Sequence, residues 1–249
     1  MVLLSIAVLA VSMTGCTARR SPHEAQVVSE IKTLGGRVNT AIVDGRDAHE
    51  SVVRVILSNT KVTDAELEHL QLLTHIKVLL LDGTQVSDAG IEYLGHLADI
   101  RVLGLGNTQV TDAGLKYLKS LGLLRDLYLY DTQVTDSGLT HLEIFVNLEE
   151  LSLGGTRLTD AGLRHLQKLT KLRWLSLRNI PITELGLERL EVLSNLEYLD
   201  LSGTQVTDAG LKYLHGMSHL WHLDVTHTKV TDAGIEDLKK AQPNLEVVR

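Results

Sequence analysis

The chain has 249 residues, a length that suits one elongated domain or two compact ones, and its 24 basic and 31 acidic residues give a formal net charge of −7. This acidic balance argues against a sequence-independent role on nucleic acid. The single cysteine, Cys16, excludes an intramolecular disulfide.

The first 16 residues have the pattern of an export signal. Residues 1–13 are almost wholly apolar, and this run is too short to span a bilayer as a helix but suits the apolar region of a signal peptide. The following Thr14-Gly15-Cys16 resembles the cleavage box of a bacterial lipoprotein, in which lipid is attached to the cysteine. The resemblance implies a signal over residues 1–16, lipidation at Cys16 and a membrane-anchored place in the cell envelope. Ordinary signal cleavage and a retained tail on a cytoplasmic protein are the alternatives.

Residues 17–20 form a short polar linker, and residues 21–51 are predicted to cap the fold at its N-terminal end. Ser21-Pro22-His23-Glu24 is a typical helix start, with Ser at the N-cap, Pro at the first helical position and Glu three residues after the cap. Gly35-Gly36 ends this helix. Residues 38–43 are predicted to form a strand, and residues 44–51 a turn-rich loop.

Eight copies of one 24-residue unit follow without insertion, from residue 53 to about residue 240. A fixed period of this size predicts a solenoid, in which each unit buries its apolar face against its neighbours. Every copy carries a hydroxyl–acid pair, at Thr63-Asp64, Ser87-Asp88, Thr111-Asp112, Thr135-Asp136, Thr159-Asp160, Thr183-Glu184, Thr207-Asp208 and Thr231-Asp232.

Within a unit, the spacing of the leucines changes from that of a strand to that of a helix. Leu151 and Leu153 have the two-residue spacing of a strand, whereas Leu163, Leu166 and Leu169 have the spacing of a helix. The hydroxyl–acid pair between them suits a helix start, with Thr as the N-cap and the acid interacting with the helix dipole. Each unit is therefore predicted to be a short strand followed by a short helix.

These units resemble the leucine-rich repeat, L-x-x-L-x-L-x-x-(N/C)-x-L. Their T-D-x-G-L segment is most similar to the cysteine-containing subclass of F-box substrate receptors and bacterial surface proteins. The resemblance implies an α/β fold over residues 52–249, a right-handed horseshoe with a parallel concave sheet and short convex helices. Residues 243–248 would supply a final strand as the C-terminal cap. Threonine replaces the Asn or Cys of the pattern at Thr60, Thr84, Thr108, Thr132, Thr156, Thr204 and Thr228.

Two details of the repeat give local expectations. The threonine hydroxyls are expected to donate to the neighbouring turn and form a ladder between coils. In the sixth copy, Ile180-Pro181 interrupts the threonine column and removes a backbone donor, so an irregularity is expected there.

Side chains that alternate with the core leucines are predicted to point to the concave face. Near the N-terminal end they form an apolar strip of Ile56, Val78, Leu80 and Val102. Beyond it, aromatic residues and an arginine lie among carboxylates, as Tyr128, Tyr130, Trp174, Tyr198 and Arg178 with Asp126, Glu150, Asp200 and Asp224. Tyr, Trp and Arg are the residue types that dominate binding hot spots, which favours a partner site. The alternative is that the aromatic residues only stabilise the sheet by cross-strand contacts.

Three further groups of residues do not indicate a functional site. Ser176, Asp200 and His222 lie on adjacent strands, but the sequence has no nucleophile elbow and a flat sheet offers no oxyanion pocket. The spacing of His215, His219, His222 and His227 does not suit a metal site. Position in the repeat makes Tyr93, Tyr117 and Tyr213 structural residues of the outer helices.

The sequence therefore predicts a non-catalytic scaffold, without cofactor or metal, that binds a protein partner on the concave face. A glycan-binding surface protein is the first alternative, with sugar rings stacked on Tyr128, Tyr130, Trp174 and Tyr198. The second is a substrate-receptor adaptor like the F-box proteins, which is disfavoured because residues 21–51 are too few for an F-box plus a cap.

Overall fold

The computed structural model describes residues 21–43 and 49–249. Cys16, the predicted signal, the linker and residues 44–48 lie outside the described residues. Within them, ten strands form one sheet in chain order, and β2 to β10 run parallel to one another. A helical segment lies between successive parallel strands, so the predicted solenoid of alternating strands and helices is confirmed.

The strands are short and regularly spaced: β1 (Arg37–Val43), β2 (His49–Ile56), β3 (Val78–Leu80), β4 (Val102–Gly104), β5 (Asp126–Tyr128), β6 (Glu150–Ser152), β7 (Trp174–Ser176), β8 (Tyr198–Asp200), β9 (His222–Asp224) and β10 (Glu246–Val248). The α-helices are α1 (Pro22–Thr33), α2 (Asp64–Leu70), α3 (Asp88–Leu94), α4 (Asp112–Leu115), α5 (Glu184–Leu190), α6 (Asp208–Leu211) and α7 (Asp232–Ala241). In the fourth and fifth copies the helical half is a single 3-10 segment, Gly138–Leu142 and Gly162–Leu166. No helix among the described residues is both long and apolar enough to cross a membrane.

The core is one continuous column of aliphatic side chains. The central residue of each strand from β3 to β8, such as Leu127, Leu151 or Leu175, is 0% exposed. Leucines from the helical half pack against it from the other side, in a single cluster that extends from α1 to Leu245. Burial of one such side chain stabilises the fold by about 1.5–3 kcal/mol, so the repeated leucines supply the main driving force for stacking. Tyr93, Tyr117 and Tyr213 pack against this core, as predicted for structural residues.

Neighbouring coils are joined by a repeated carboxylate bridge. Asp88 accepts the backbone N–H of Thr111 at 2.8 Å through Oδ1 and the Thr111 hydroxyl at 2.6 Å through Oδ2. The position of the aspartates at the helix starts predicts only an interaction with the helix dipole, so this second role is not evident from the sequence. Hydrogen bonds to charged acceptors contribute about 1.5–3 kcal/mol each. The same pair of bonds joins the next coil to Asp64, Asp112, Asp136, Asp160 and Asp208.

Glycine in the helix start leaves room for the bridge. A Cβ atom on Gly162 would overlap Oδ1 of Asp136 in the preceding coil. Gly210 differs, because the preceding coil carries Glu184, whose longer side chain accepts the Thr207 hydroxyl at 2.7 Å but not the Thr207 amide. A Cβ atom on Gly210 would meet side-chain carbons of Leu187 and Val206 at 3.1 and 3.2 Å and no carboxylate. The glycine is therefore required most strictly where an aspartate precedes it.

The prediction for the threonine column was wrong. Each hydroxyl donates within its own coil, as Thr108 does to the Leu105 carbonyl at 2.6 Å, because the carbonyl three residues earlier is its nearest acceptor. The irregularity expected at Pro181 is present. Other coils donate an amide from this position to the preceding coil, as Arg157 does to the Val134 carbonyl at 2.9 Å. Pro181 has no such donor, and the Ile182 amide turns back to the Ile180 carbonyl at 2.7 Å.

The N-terminal helix and β1 cover one end of the array. Ser21 caps α1 by accepting the Glu24 amide at 3.1 Å, as the sequence predicts. The buried Glu24 carboxylate accepts the Val52 amide of β2 at 2.8 Å, so it ties the helix to the sheet. β1 pairs antiparallel with β2, which begins at His49. The loop predicted over residues 44–51 is therefore too long, because its last three residues pair with β1.

Two matched substitutions test the carboxylate bridge. Gly162→Ala should displace Asp136 and lower the free energy of unfolding by about 2 kcal/mol, because at least one of its two charged hydrogen bonds to the next coil is lost. Gly210→Ala should stay within about 1 kcal/mol of wild type, since alanine favours a helix and no carboxylate is displaced. Urea unfolding followed by circular dichroism gives both values. Equal losses in the two variants would contradict the bridge.

Candidate functional site

The parallel strands present their outward side chains on the sheet face that lies away from the leucine core, here called the strand face. It is the face that the sequence predicts to be concave. The strands pair without a register shift, so outward residues that are 24 positions apart lie side by side. The first column contains Val102, Asp126, Glu150, Trp174, Tyr198 and His222. The second contains Leu80, Gly104, Tyr128, Ser152, Ser176, Asp200 and Asp224.

Three rings in the first column form a stack, here called the aromatic row. Trp174 and Tyr198 have ring centroids 5.3 Å apart with planes 15° from parallel, and Tyr198 and His222 are 4.7 Å apart at 3°. The strand spacing of about 4.8 Å matches the distance at which rings stack. Tyr198 therefore has a ring against each of its faces.

Tyr128 extends the row at its N-terminal end. Its ring meets Trp174 edge-on, with centroids 6.5 Å apart and planes 72° from parallel. The phenol donates to Oε2 of Glu150 at 2.6 Å. Burial and this bond to Glu150 raise the pKa of Tyr128, so the phenol keeps its proton at neutral pH.

Tyr130 does not join the other aromatic residues, contrary to the predicted cluster. Its ring lies over Gly106, where a Cβ atom would overlap it. Burial and the Asp82 carboxylate, to which the phenol is hydrogen-bonded, raise the pKa of Tyr130. Asp82 also accepts the Gly106 amide at 3.0 Å. Tyr130 thus fills a hollow left by glycine and has a packing role as well as an exposed surface.

Trp174 separates two cavities. The first, of about 350 Å³, lies between Trp174 and Tyr130 and is lined also by Arg178 and Asp200, with small residues at Ser152, Gly154 and Ser176. The second, also of about 350 Å³ and here called the rim cavity, lies where the strands begin and is lined by Glu149, Glu150, Arg173, Trp174, Glu197, Tyr198 and Trp221. It adjoins a third hollow of about 430 Å³ that includes Lys171, Asn195 and His219.

The carboxylates on the strand face differ in how far hydrogen bonds and ion pairs offset their negative charge. Asp200 accepts the Ser176 hydroxyl at 3.1 Å and the Ser202 hydroxyl at 2.6 Å. Asp126 lies beside Glu150 and has no hydrogen bond or ion pair within the described part of the chain. Desolvation, followed by repulsion from Glu150 and Glu149, raises the pKa of Asp126 from 3.8 to about 6. The middle of the strand face therefore holds an uncompensated negative charge at neutral pH.

The predicted apolar strip lies apart from the aromatic row. Leu80 and Val102 are on the strand face and partly exposed, as are Ile56 and Val78. Val102 is three strands from Trp174, with Asp126 and Glu150 between them. At the usual strand spacing this separation is about 14 Å. The residues proposed from the sequence thus form two separate patches on one face.

The polar groups of the strand face are not connected as a hydrolytic triad would be. The Ser176 hydroxyl donates directly to Asp200, whereas His222 stacks on Tyr198 and its Nδ1 lies 3.3 Å from Oε2 of Glu246. His219 is bonded to the Ser194 carbonyl at 3.1 Å. In the described ranges, no group of three or more His, Cys, Asp or Glu side chains could hold a metal ion.

Sequence reasoning missed Trp221, which is 53% exposed at the edge of the rim cavity. Its ring meets His222 with centroids 5.5 Å apart and planes 64° from parallel. The signal was its position immediately before β9, where the second to seventh copies all carry a charged residue. These residues pair across strands, Arg125 with Glu149 at 2.7 Å and Arg173 with Glu197 at 2.8 Å.

Comparisons with known proteins identify the fold. A family model described as "Leucine Rich repeat" matches residues 146–166, 192–214 and 216–239. The fold is similar to that of internalin C2 from Listeria monocytogenes, with a TM-score of 0.63 and 24% identity over 91% of this chain and 92% of that one. A leucine-rich repeat protein from Leptospira interrogans gives a TM-score of 0.53 and 20% identity, over 73% of this chain and 51% of that one. No curated protein sequence matches the chain. The chain thus has the leucine-rich repeat fold, which typically provides a non-catalytic surface for protein interaction.

The raised pKa of Asp126 predicts a pH-dependent penalty. Because the folded pKa is about 6 and the usual value is 3.8, the penalty is absent below pH 3.8 and complete above about pH 6. Asp126→Asn should therefore be more stable than wild type at about pH 8, by on the order of 1 kcal/mol after discounting for solvent screening. Most of this difference should be lost at about pH 4.

Thermal unfolding at the two pH values tests this prediction. Glu92→Gln is the matched control, since it removes one exposed carboxylate from α3 on the helical side. A pH-independent gain for Asp126→Asn, or the same gain for Glu92→Gln, would show that Asp126 is not destabilised by its neighbours.

Proposed function

We propose that this protein is a non-catalytic scaffold that captures a protein partner on its strand face. The observation that carries the proposal is the aromatic row with its two flanking cavities. Leucines already fill the core beneath the sheet, so Trp174 is not needed to complete it. Aromatic rings that border open cavities among carboxylates have the composition of a binding hot spot.

The packing of the aromatic rings favours protein capture over glycan binding. Sugar rings stack on aromatic faces, but both faces of Tyr198 are covered by Trp174 and His222. Tyr130 lies over Gly106 and is bonded to Asp82. Of the four rings proposed for sugar stacking, these two are thus already engaged. The proposed contact residues are Asp126, Tyr128, Tyr130, Glu150, Trp174, Arg178, Tyr198 and Asp200, with Leu80 and Val102 as a second patch.

We further propose that the protein is exported and anchored to a membrane by lipid on Cys16. The support comes from the apolar run before Thr14-Gly15-Cys16 and from the bacterial origin of the two similar folds. An envelope location would place the strand face where it meets secreted or surface proteins.

The capture proposal is tested with the double variant Trp174→Ala and Tyr198→Ala. Loss of two central rings should lower the amount of partner retained from the host's envelope fraction by at least about tenfold, as expected for hot-spot residues. Tyr130 is left intact because it also packs in the glycine hollow. Affinity capture followed by mass spectrometry provides the measurement.

Leu185→Ala is the control for this test, because Leu185 is 61% exposed on α5, away from the strand face. It removes a large exposed apolar side chain and should leave capture unchanged. Unaltered capture by the double variant, with or without loss in the control, would rule out the strand face as the binding surface.

The lipid anchor is tested separately by metabolic labelling with a fatty acid. The wild-type chain should incorporate the label and Cys16→Ser should not, because the thiol is the attachment point. Equal labelling of the two chains, or none in either, would refute the anchor and leave ordinary signal cleavage or a cytoplasmic location.

A further inference from the structure

The rim cavity combines an aromatic surface with an acidic one. Its apolar part consists of Trp174, Tyr198 and the exposed Trp221. Its polar part consists of Glu149, Glu150 and Glu197, with Arg173 as the one cationic residue in the lining. Three carboxylates and one guanidinium leave a net negative charge.

The partners of these carboxylates leave much of this charge available. Glu197 is engaged by Arg173, which binds both its oxygens at 2.8 and 3.0 Å. Glu149 is paired with Arg125, which is outside the cavity lining. Glu150 accepts only the neutral phenol of Tyr128, and the neighbouring Asp126 has no ion pair in the described part of the chain. Arg125 and Arg173 attract these two carboxylates at longer range, but two guanidinium groups face four carboxylates, so the inner wall keeps a net negative charge.

Such a cavity suits a long side chain with a cationic end. Lysine and arginine bury their methylene stems against apolar surface while the charged head stays among polar groups. Carboxylates bind these heads with short charge-assisted hydrogen bonds. An acidic side chain would be repelled by the three glutamates, and a neutral one would leave Glu150 without a cationic partner.

We propose that the rim cavity binds a lysine or arginine side chain from a basic segment of the protein partner. This inference rests on the proposed function and specifies its chemistry. Trp221 and Trp174 pack against the methylene stem, and Glu150 with Glu149 binds the charged head. Charge complementarity with the acidic strand face brings the basic segment to the cavity.

The two tryptophans of the chain, Trp174 and Trp221, both line the cavity, so intrinsic fluorescence reports its occupancy directly. The probes are short peptides in which glycine alternates with lysine, with glutamine, or with diaminobutyric acid, which carries the same charge on a shorter stem. The lysine peptide should give a saturable change. Its affinity should exceed that of the glutamine and diaminobutyric acid peptides by about tenfold, because it alone combines charge with a full stem.

Two substitutions locate the binding. Glu150→Gln keeps an acceptor for Tyr128 but removes the charge, and should weaken the lysine peptide by several fold, whereas the matched Glu92→Gln should not. Trp221→Ala should weaken it by about tenfold, and Trp221→Phe, which retains an aromatic ring, should restore most of the affinity. Trp174 remains as the reporter in both Trp221 variants.

The outcomes distinguish this proposal from the proposed function. Equal binding of the lysine and diaminobutyric acid peptides would reduce the effect to general attraction by an acidic surface and overturn the site. Absence of a saturable change, or preference for a neutral oligosaccharide over the lysine peptide, would overturn it as well. None of these results alters the test of capture by the Trp174 and Tyr198 variant, which stands or fails on its own.

Discussion

Most coils of this protein are held to the next by an aspartate that accepts both an amide and a hydroxyl, and Glu184 accepts the hydroxyl alone. The aspartate at a helix start binds the Thr or Ser of the following coil, and glycine in that coil leaves the space for it. Leucine burial drives the coils together, but aliphatic contacts are not directional. The paired hydrogen bonds are directional, and they favour one stacking register. Everything on the strand face depends on that register.

The fixed register is what turns separate strands into a surface. Because residues 24 positions apart lie side by side, rings that are distant in sequence stack at the strand spacing, as Trp174, Tyr198 and His222 do. Small residues at Ser152, Gly154 and Ser176 leave the cavity between Tyr130 and Trp174. The core is complete without this face, which leaves its composition free to serve recognition.

The regular part of the fold was predictable from the sequence because it depends only on spacing. The 24-residue period located the parallel strands, the leucine core and the outward columns, and Ser21 marked a helix start that is present. The irregularity at Pro181 was also predictable, because proline lacks a backbone N–H donor wherever it occurs. These features need no knowledge of what lies in the adjacent coil.

The remaining features depend on distances between coils and on side-chain rotamers, which spacing does not encode. Glu24 reads as part of a helix cap, but its carboxylate reaches the Val52 amide. The sequence pattern groups Tyr130 with Trp174, but the Tyr130 ring occupies the space over Gly106 and its phenol is hydrogen-bonded to Asp82. Trp221 was overlooked because it precedes a strand, although its ring lines the same cavity as Trp174. The proposed site is therefore centred further along the array than the sequence suggested.

Hydrogen exchange, measured by mass spectrometry on the protein alone and bound to its captured partner, tests this account most directly. It predicts new protection in peptides that span β5 to β9, while protection confined to the outer helices would contradict it.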